Sequence, residues 1–130
     1  MSAASSAWAA GAVFLGSGLG GVARWGVGLA ARRWAAALPA PLPGLLGTWL
    51  VNVVGSAVLA ALVVRGHRGE LGSEPMRLLL TTGAMGGFTT YSTFNTEMIA
   101  LSAEGRWSTA VGYGLATVGG ALLGGWLGWR

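Results

Sequence analysis

The sequence predicts an all-α membrane protein of four transmembrane helices, the third of them broken near mid-membrane. Three observations predict it. Of the 130 residues 53% are hydrophobic and only four are acidic, with a mean hydropathy of +0.61, which sets the chain in the membrane class. The apolar residues fall into four stretches of spanning length, about 7–31, 44–64, 76–103 and 107–129. Inside the third, Gly83-Ala84-Met85-Gly86-Gly87-Phe88-Thr89-Thr90-Tyr91-Ser92-Thr93-Phe94 puts three glycines before a run of hydroxyl and aromatic residues. Glycine costs about 1 kcal/mol relative to alanine inside a helix, and Ser and Thr offer the backbone competing hydrogen bonds.

The first span, 7–31, has no basic segment before it and ends in Arg32-Arg33, so it is expected to be a retained helix rather than a signal peptide. Gly16, Gly20 and Gly28 recur at multiples of four, a stripe that lets another helix approach closely. Arg24 belongs to the same series. It either snorkels to the headgroups or fixes a positive charge at the mouth of a polar cavity. Leu38-Pro39-Ala40-Pro41-Leu42-Pro43-Gly44 reads as a stiff, non-helical connector.

In the second span, 44–64, Thr48, Asn52 and Ser56 fall at i, i+4 and i+8 and form one polar line. An asparagine at that depth needs partners; it serves as glue between helices or as a donor into a cavity. A charged loop from Arg65 to Glu74 follows, and Ser73 and Pro75 suit the start of the third span.

At ~1.5 Å per residue the third span is about 40 Å long as one straight helix, against ~30 Å of hydrocarbon. A break within it must be buried in protein or line a polar cavity, because unpaired backbone groups facing lipid cost several kcal/mol each. Freed carbonyls there can bind a cation, and freed N–H groups and hydroxyls an anion. Glu97 lies beyond the break, either an interfacial acid or part of the same polar face. Glu104-Gly105-Arg106 makes a tight connection to the fourth span, 107–129. There Gly112, Ala116, Gly120, Gly124 and Gly128 form a small-residue stripe, with Tyr113 and Thr117 as a polar pair on the adjacent face. Trp8, Trp34, Trp107 and Trp129 fall near span ends, where interfacial aromatics belong.

The remaining composition excludes several functions. Without cysteine there is no disulfide or thiolate metal site, and the single histidine, His67, argues against a histidine metal centre. All eight basic residues are arginines scattered at helix ends, which reads as membrane flanks and not as a nucleic-acid surface. No nucleophile–base pair lies in the apolar spans, so an enzyme is not expected.

Four spans put both termini on one side, with Arg65, Arg68, Arg77 and Arg130 there against Arg32, Arg33 and Arg106 on the other. Four against three is almost no bias. A chain without a preferred orientation is expected to insert both ways and to pair as an antiparallel, dual-topology homodimer within the lipid. Residues 1–130 are expected to form a single integral membrane domain.

Three pieces together resemble the small fluoride-channel family called Fluc or CrcB. They are Gly20-Gly21-Val22-Ala23-Arg24, then Gly47-Thr48-Trp49-Leu50-Val51-Asn52-Val53-Val54-Gly55-Ser56, and Gly86-Gly87-Phe88-Thr89-Thr90-Tyr91-Ser92-Thr93-Phe94 with Glu97. They touch three of the four spans in that family's order and spacing. The resemblance implies a fluoride-selective channel of the cell's inner (plasma) membrane that exports F⁻ from the cytoplasm by passive electrodiffusion. It implies two pores in an antiparallel homodimer and a structural Na⁺ at the dimer centre, held by the backbone carbonyls of Gly86 and Thr89. Tyr91 and Phe94 would flank the anion path with their ring edges, Tyr91 standing where phenylalanine is commoner. Asn52 would supply an amide donor, and Tyr113 and Thr117 the start of a hydroxyl track whose next position, Ala121, has no hydroxyl. The polar positions Thr48, Ser56, Ser92 and Thr93 join the path; Arg24 resembles the arginine near the vestibule and Glu97 the acid after the aromatic pair. The alternative from another class is a small proton-coupled multidrug or guanidinium exporter, which needs an acid in the first helix; this first helix has none.

Overall fold

The computed structural model describes residues 3–130 and, among them, contains helices and no strands. Helix α1 runs Ala3–Trp34 and α2 runs Leu42–His67. The third segment is composite: α3 (Glu74–Leu78) continues into a π-helical turn over Leu79–Met85 and a last short turn, α4 (Gly86–Phe88). The chain then breaks at Thr89-Thr90 and resumes as α5 (Tyr91–Ala103), followed by α6 (Trp107–Trp129). Of these, α1, α2 and α6 are each long and apolar enough to cross a membrane as single helices.

Two helix ends follow directly from glycine. After α2, Gly69 has φ of +74°, its N–H reaches Gly66 O at 3.1 Å, and Glu70 N–H reaches Arg65 O at 3.0 Å. After α5, Gly105 has φ of +73°, with Gly105 N–H on Ser102 O at 3.0 Å and Arg106 N–H on Leu101 O at 2.9 Å. Both are Schellman closures, in which a left-handed residue lets two trailing N–H groups satisfy the last free carbonyls. Ser73 does stand at the N-cap of α3, but its side chain makes no capping bond. The proline-rich connector ends earlier than expected, since α2 already begins at Leu42 and takes Pro43 into its first turn.

Packing is organised by backbone approach. Residues Gly16 and Gly20 of α1 lie directly against the broken segment, where a Cβ on Gly16 would strike Leu79 O and one on Gly20 would strike Ala84 O. From the other side a Cβ on Gly87 would strike Ser17 O, and one on Gly83 would come within 2.9 Å of Gly16 Cα. The α6 stripe does the same against α2: Gly124 faces Val53 O at 2.8 Å from where its Cβ would be, and Gly128 faces Ala57 O. A Cβ on Gly112 would meet nothing, whereas Gly28 is approached from α2, its Cα lying 3.3 Å from where a Cβ on Gly47 would be.

The break falls within the expected run of glycine, hydroxyl and aromatic residues, at its threonines: Gly83, Gly86 and Gly87 all keep helical backbone. Gly83 and Gly87 are there because α1 comes too close for a side chain. The extended residues are the two threonines that follow, Thr89 (φ −82°, ψ 159°) and Thr90 (φ −152°, ψ 104°).

The buried cluster is small and lies between α2, α5 and α6: Leu45, Phe94, Leu101, Ala110 and Tyr113, with Trp49 packed against it. Most other large apolar side chains point outwards, among them Phe14, Leu19 and Trp25 of α1 and Leu115 and Leu122 of α6. A surface of this kind suits acyl chains as its surroundings.

Candidate functional site

The break is held from two sides. Asn52 of α2 meets Thr90 with both atoms of its amide: Thr90 N–H donates to Asn52 Oδ1 at 2.8 Å, and Asn52 Nδ2 donates to Thr90 O at 3.1 Å. Arg24 of α1 donates from Nη1 to Thr89 O at 3.2 Å, which turns it toward the broken segment. The Thr90 hydroxyl caps α5 by accepting Thr93 N–H at 3.2 Å. On the α4 side, Thr89 N–H and the Thr89 hydroxyl both donate to Met85 O at 3.0 Å.

In an unbroken helix Thr90 N–H would bond Gly86 O. Its capture by Asn52 releases the Gly86 carbonyl, and Gly86 is exposed. Gly86 and Thr89 thus offer two carbonyls free of helical bonds, the second already shared with Arg24.

Two cavities adjoin this point. One, of about 400 Å³, is lined by Asn52, Ser56, Thr89, Tyr91, Phe94 and Thr117, with Ala121 at its wall. The other, of about 120 Å³, is lined by Arg24, Arg32, Thr48, Thr90, Thr93 and Glu97. Asn52 faces the first and its partner Thr90 the second. Buried Phe94 forms ring contacts with Tyr91 (centroids 5.8 Å apart, planes at 56°) and with Tyr113 (5.3 Å, 58°). Such tilted pairs leave positive ring edges available to a neighbouring anion.

Glu97 sits beside this aromatic row. Its carboxylate accepts from Thr48 Oγ1 at 2.9 Å and from Tyr113 Oη at 2.6 Å. Among the described residues the ion pairs are Arg68–Glu70 and Arg106–Glu104, so hydroxyls rather than an arginine in contact satisfy Glu97. Thr48 and Tyr113 therefore aim their protons at Glu97, and Ser56 donates to its own helix at Asn52 O (2.7 Å). Thr117 differs: it is 4% exposed and its Oγ1 has no hydrogen-bond partner. The donors lining the larger cavity that a guest could meet are the hydroxyls of Thr117 and Tyr91 and the second N–H of Asn52. Tyr113→Phe is expected to lower stability by roughly 1.5–3 kcal/mol, the range for a bond to a charged acceptor, measured by thermal unfolding in detergent.

Of the residues singled out in the sequence, Asn52, Ser56, Thr89, Tyr91, Phe94 and Thr117 converge on the larger cavity, and Arg24, Thr48, Thr93 and Glu97 on the smaller. Ser92 is exposed beside Tyr91, its Oγ 3.4 Å from Thr90 Oγ1. The sequence reading missed Thr90 and Arg32. A Thr directly before a helix start is a capping signal that would have pointed to Thr90; Arg32 looked like a boundary charge.

The family model described as CrcB-like protein, Camphor Resistance (CrcB), matches residues 11–129. The chain is 39% identical over 113 residues to the fluoride-specific ion channel FluC of Chloroflexus aurantiacus, covering 86% of this chain and 85% of that one. It is 42% identical over 118 residues to the FluC of Gloeobacter violaceus, covering 90% of each, and 41% identical over 114 residues to that of Methylobacterium nodulans, covering 86% of each. Matches of this extent, spanning both sides of the break, make the chain a member of the CrcB family.

Proposed function

We propose that the chain is a fluoride-selective channel through which F⁻ leaves the cytoplasm by passive electrodiffusion. The observation that carries the reading is the cavity of about 400 Å³ at the break, walled by the Phe94 ring, the Asn52 amide and the Thr117 hydroxyl. Fluoride is small and tightly hydrated, so a pore must replace its water with several modest donors; a fixed ammonium or guanidinium in the narrow part would hold it. Hydroxyl, amide and ring edge are donors of that strength, and the arginines Arg24 and Arg32 line the other cavity. The relatives, fluoride-specific ion channels by name, agree with it. The chain is a multi-pass membrane protein of an ion-channel family and not an enzyme.

The finer reading takes residues Glu74–Ala103 as a fourth, broken crossing and the inner (plasma) membrane as its site. An antiparallel homodimer completes the path. Tyr91, 77% exposed on the isolated chain, then gains a cover, and the two breaks meet at the dimer centre. The released Gly86 carbonyl and the second lone pair of Thr89 O suit a hard monovalent cation, so a structural Na⁺ fits there; when bound it supplies a fixed charge linking the two breaks. Proton-coupled antiport has less support, since α1 carries no acid and both oxygens of Glu97 accept hydroxyl bonds.

Fluoride-loaded liposomes containing the purified protein test the reading. Fluoride should escape, followed with a selective electrode, once valinomycin and potassium balance charge, without any proton gradient, while chloride stays. Equal chloride release, or release only with a proton gradient, would overturn it.

A further inference from the structure

We propose that Arg24 and Asn52 are positioning residues that hold the helix open at Thr89-Thr90, working on the backbone of the break and not only on the passing ion. The chemistry of Asn52 carries the argument. A carboxamide presents a carbonyl and an N–H side by side, as a peptide group does, and Thr90 has the φ and ψ of a β-strand. Asn52 therefore pairs with the N–H and C=O of Thr90 as a neighbouring strand would, at 2.8 and 3.1 Å. The Thr90 N–H loses its helical partner at the break, and in a membrane interior nothing else replaces it, while the Thr90 C=O, at the N-cap of α5, takes the Asn52 N–H beside its own helical bond. Arg24 does the same for the preceding residue through Thr89 O at 3.2 Å.

The three bonds come from two different helices and fall on two consecutive residues. Without Asn52, Thr90 N–H has no fixed partner, and the turn that sets Tyr91 and Phe94 against α6 is loosened. The Ser56 hydroxyl, bonded to Asn52 O, and Gly55, packed against the Thr89 methyl, keep the same stretch of α2 against the break. Asn52 thus has one amide hydrogen on the backbone and one facing the larger cavity, so its substitution affects pore shape as well as ion contact.

Hydrogen exchange on the full-length protein in lipid nanodiscs, read by mass spectrometry over 86–94, tests this without reference to fluoride. Asn52→Ala should speed exchange at the Thr90 amide about tenfold, the change expected on losing one buried bond, while amides in the middle of α6 stay as they were. Asn52→Asp keeps the acceptor for Thr90 N–H, so that amide should remain protected even though the Thr90 carbonyl loses its donor. Arg24→Met, with Asn52 intact, should loosen the same peptide by a lesser factor. Unchanged Thr90 exchange in Asn52→Ala overturns the proposal, and so does acceleration spread evenly over α6, which would mean general destabilisation. The proposal deepens the pathway reading, but its exchange result stands apart: a protein that fails to conduct fluoride yet shows these local changes keeps the clamp and loses the channel.

Discussion

If the proposed path runs beside its ring, Phe94→Ile is expected to cut fluoride efflux from liposomes by at least about tenfold, corresponding to the loss of roughly 1.4 kcal/mol of stabilisation for the ion there. The physical reason is the ring edge. Isoleucine comes near phenylalanine in bulk and stays apolar, so the small cluster of Leu45, Leu101, Ala110 and Tyr113 is still largely filled. What disappears is the polarised C–H rim between Tyr91 and Tyr113, which an alkyl group does not reproduce. The protein should still elute from a sizing column at the wild-type position. Efflux at the wild-type rate from such protein would remove Phe94 from the route.

The second large effect concerns assembly. Gly20→Leu should leave little folded, monodisperse protein, with a destabilisation of about 3 kcal/mol or more. The first atom of any side chain at Gly20 lands on Ala84 O and within 2.8 Å of Phe88 N, both backbone atoms of the broken segment. Backbone cannot swing aside as the tip of a side chain can, so α1 must retreat and draw Arg24 away from Thr89. Gly18→Leu on the same helix meets nothing within 4 Å and serves as the control. Thermal unfolding followed by tryptophan fluorescence distinguishes the two, and equal midpoints would contradict the packing described.

The α6 stripe shows how far sequence spacing leads. Gly120, Gly124 and Gly128 were legible as a close-contact face because one residue per turn repeats on one side, and α2 does lie there. The polar series Thr48–Asn52–Ser56 was legible for the same reason, though each of the three bonds a different acceptor. The position of the break was less so. A glycine signals both a weak helix and a tight approach, and composition alone does not separate the two; here Gly83 and Gly87 serve the approach and the threonines make the break.

Partners remote in sequence were not legible at all. Arg24 and Thr89 O are 65 residues apart, and a bond to a backbone carbonyl leaves no mark on residue identity. Likewise Thr48 and Tyr113 read as free hydroxyls until Glu97 is seen to accept from both. The acid was visible in the sequence, but its distance from two other helices was not.

The most direct test is the reversal potential of single channels in a planar bilayer under a fluoride gradient with chloride held equal on both sides. If hydroxyl, amide and ring edge at the break select fluoride and let it pass unaided, the reversal potential should move by about 60 mV for each tenfold gradient. A potential that stays at zero, or that follows chloride when the chloride gradient is varied instead, would contradict the account.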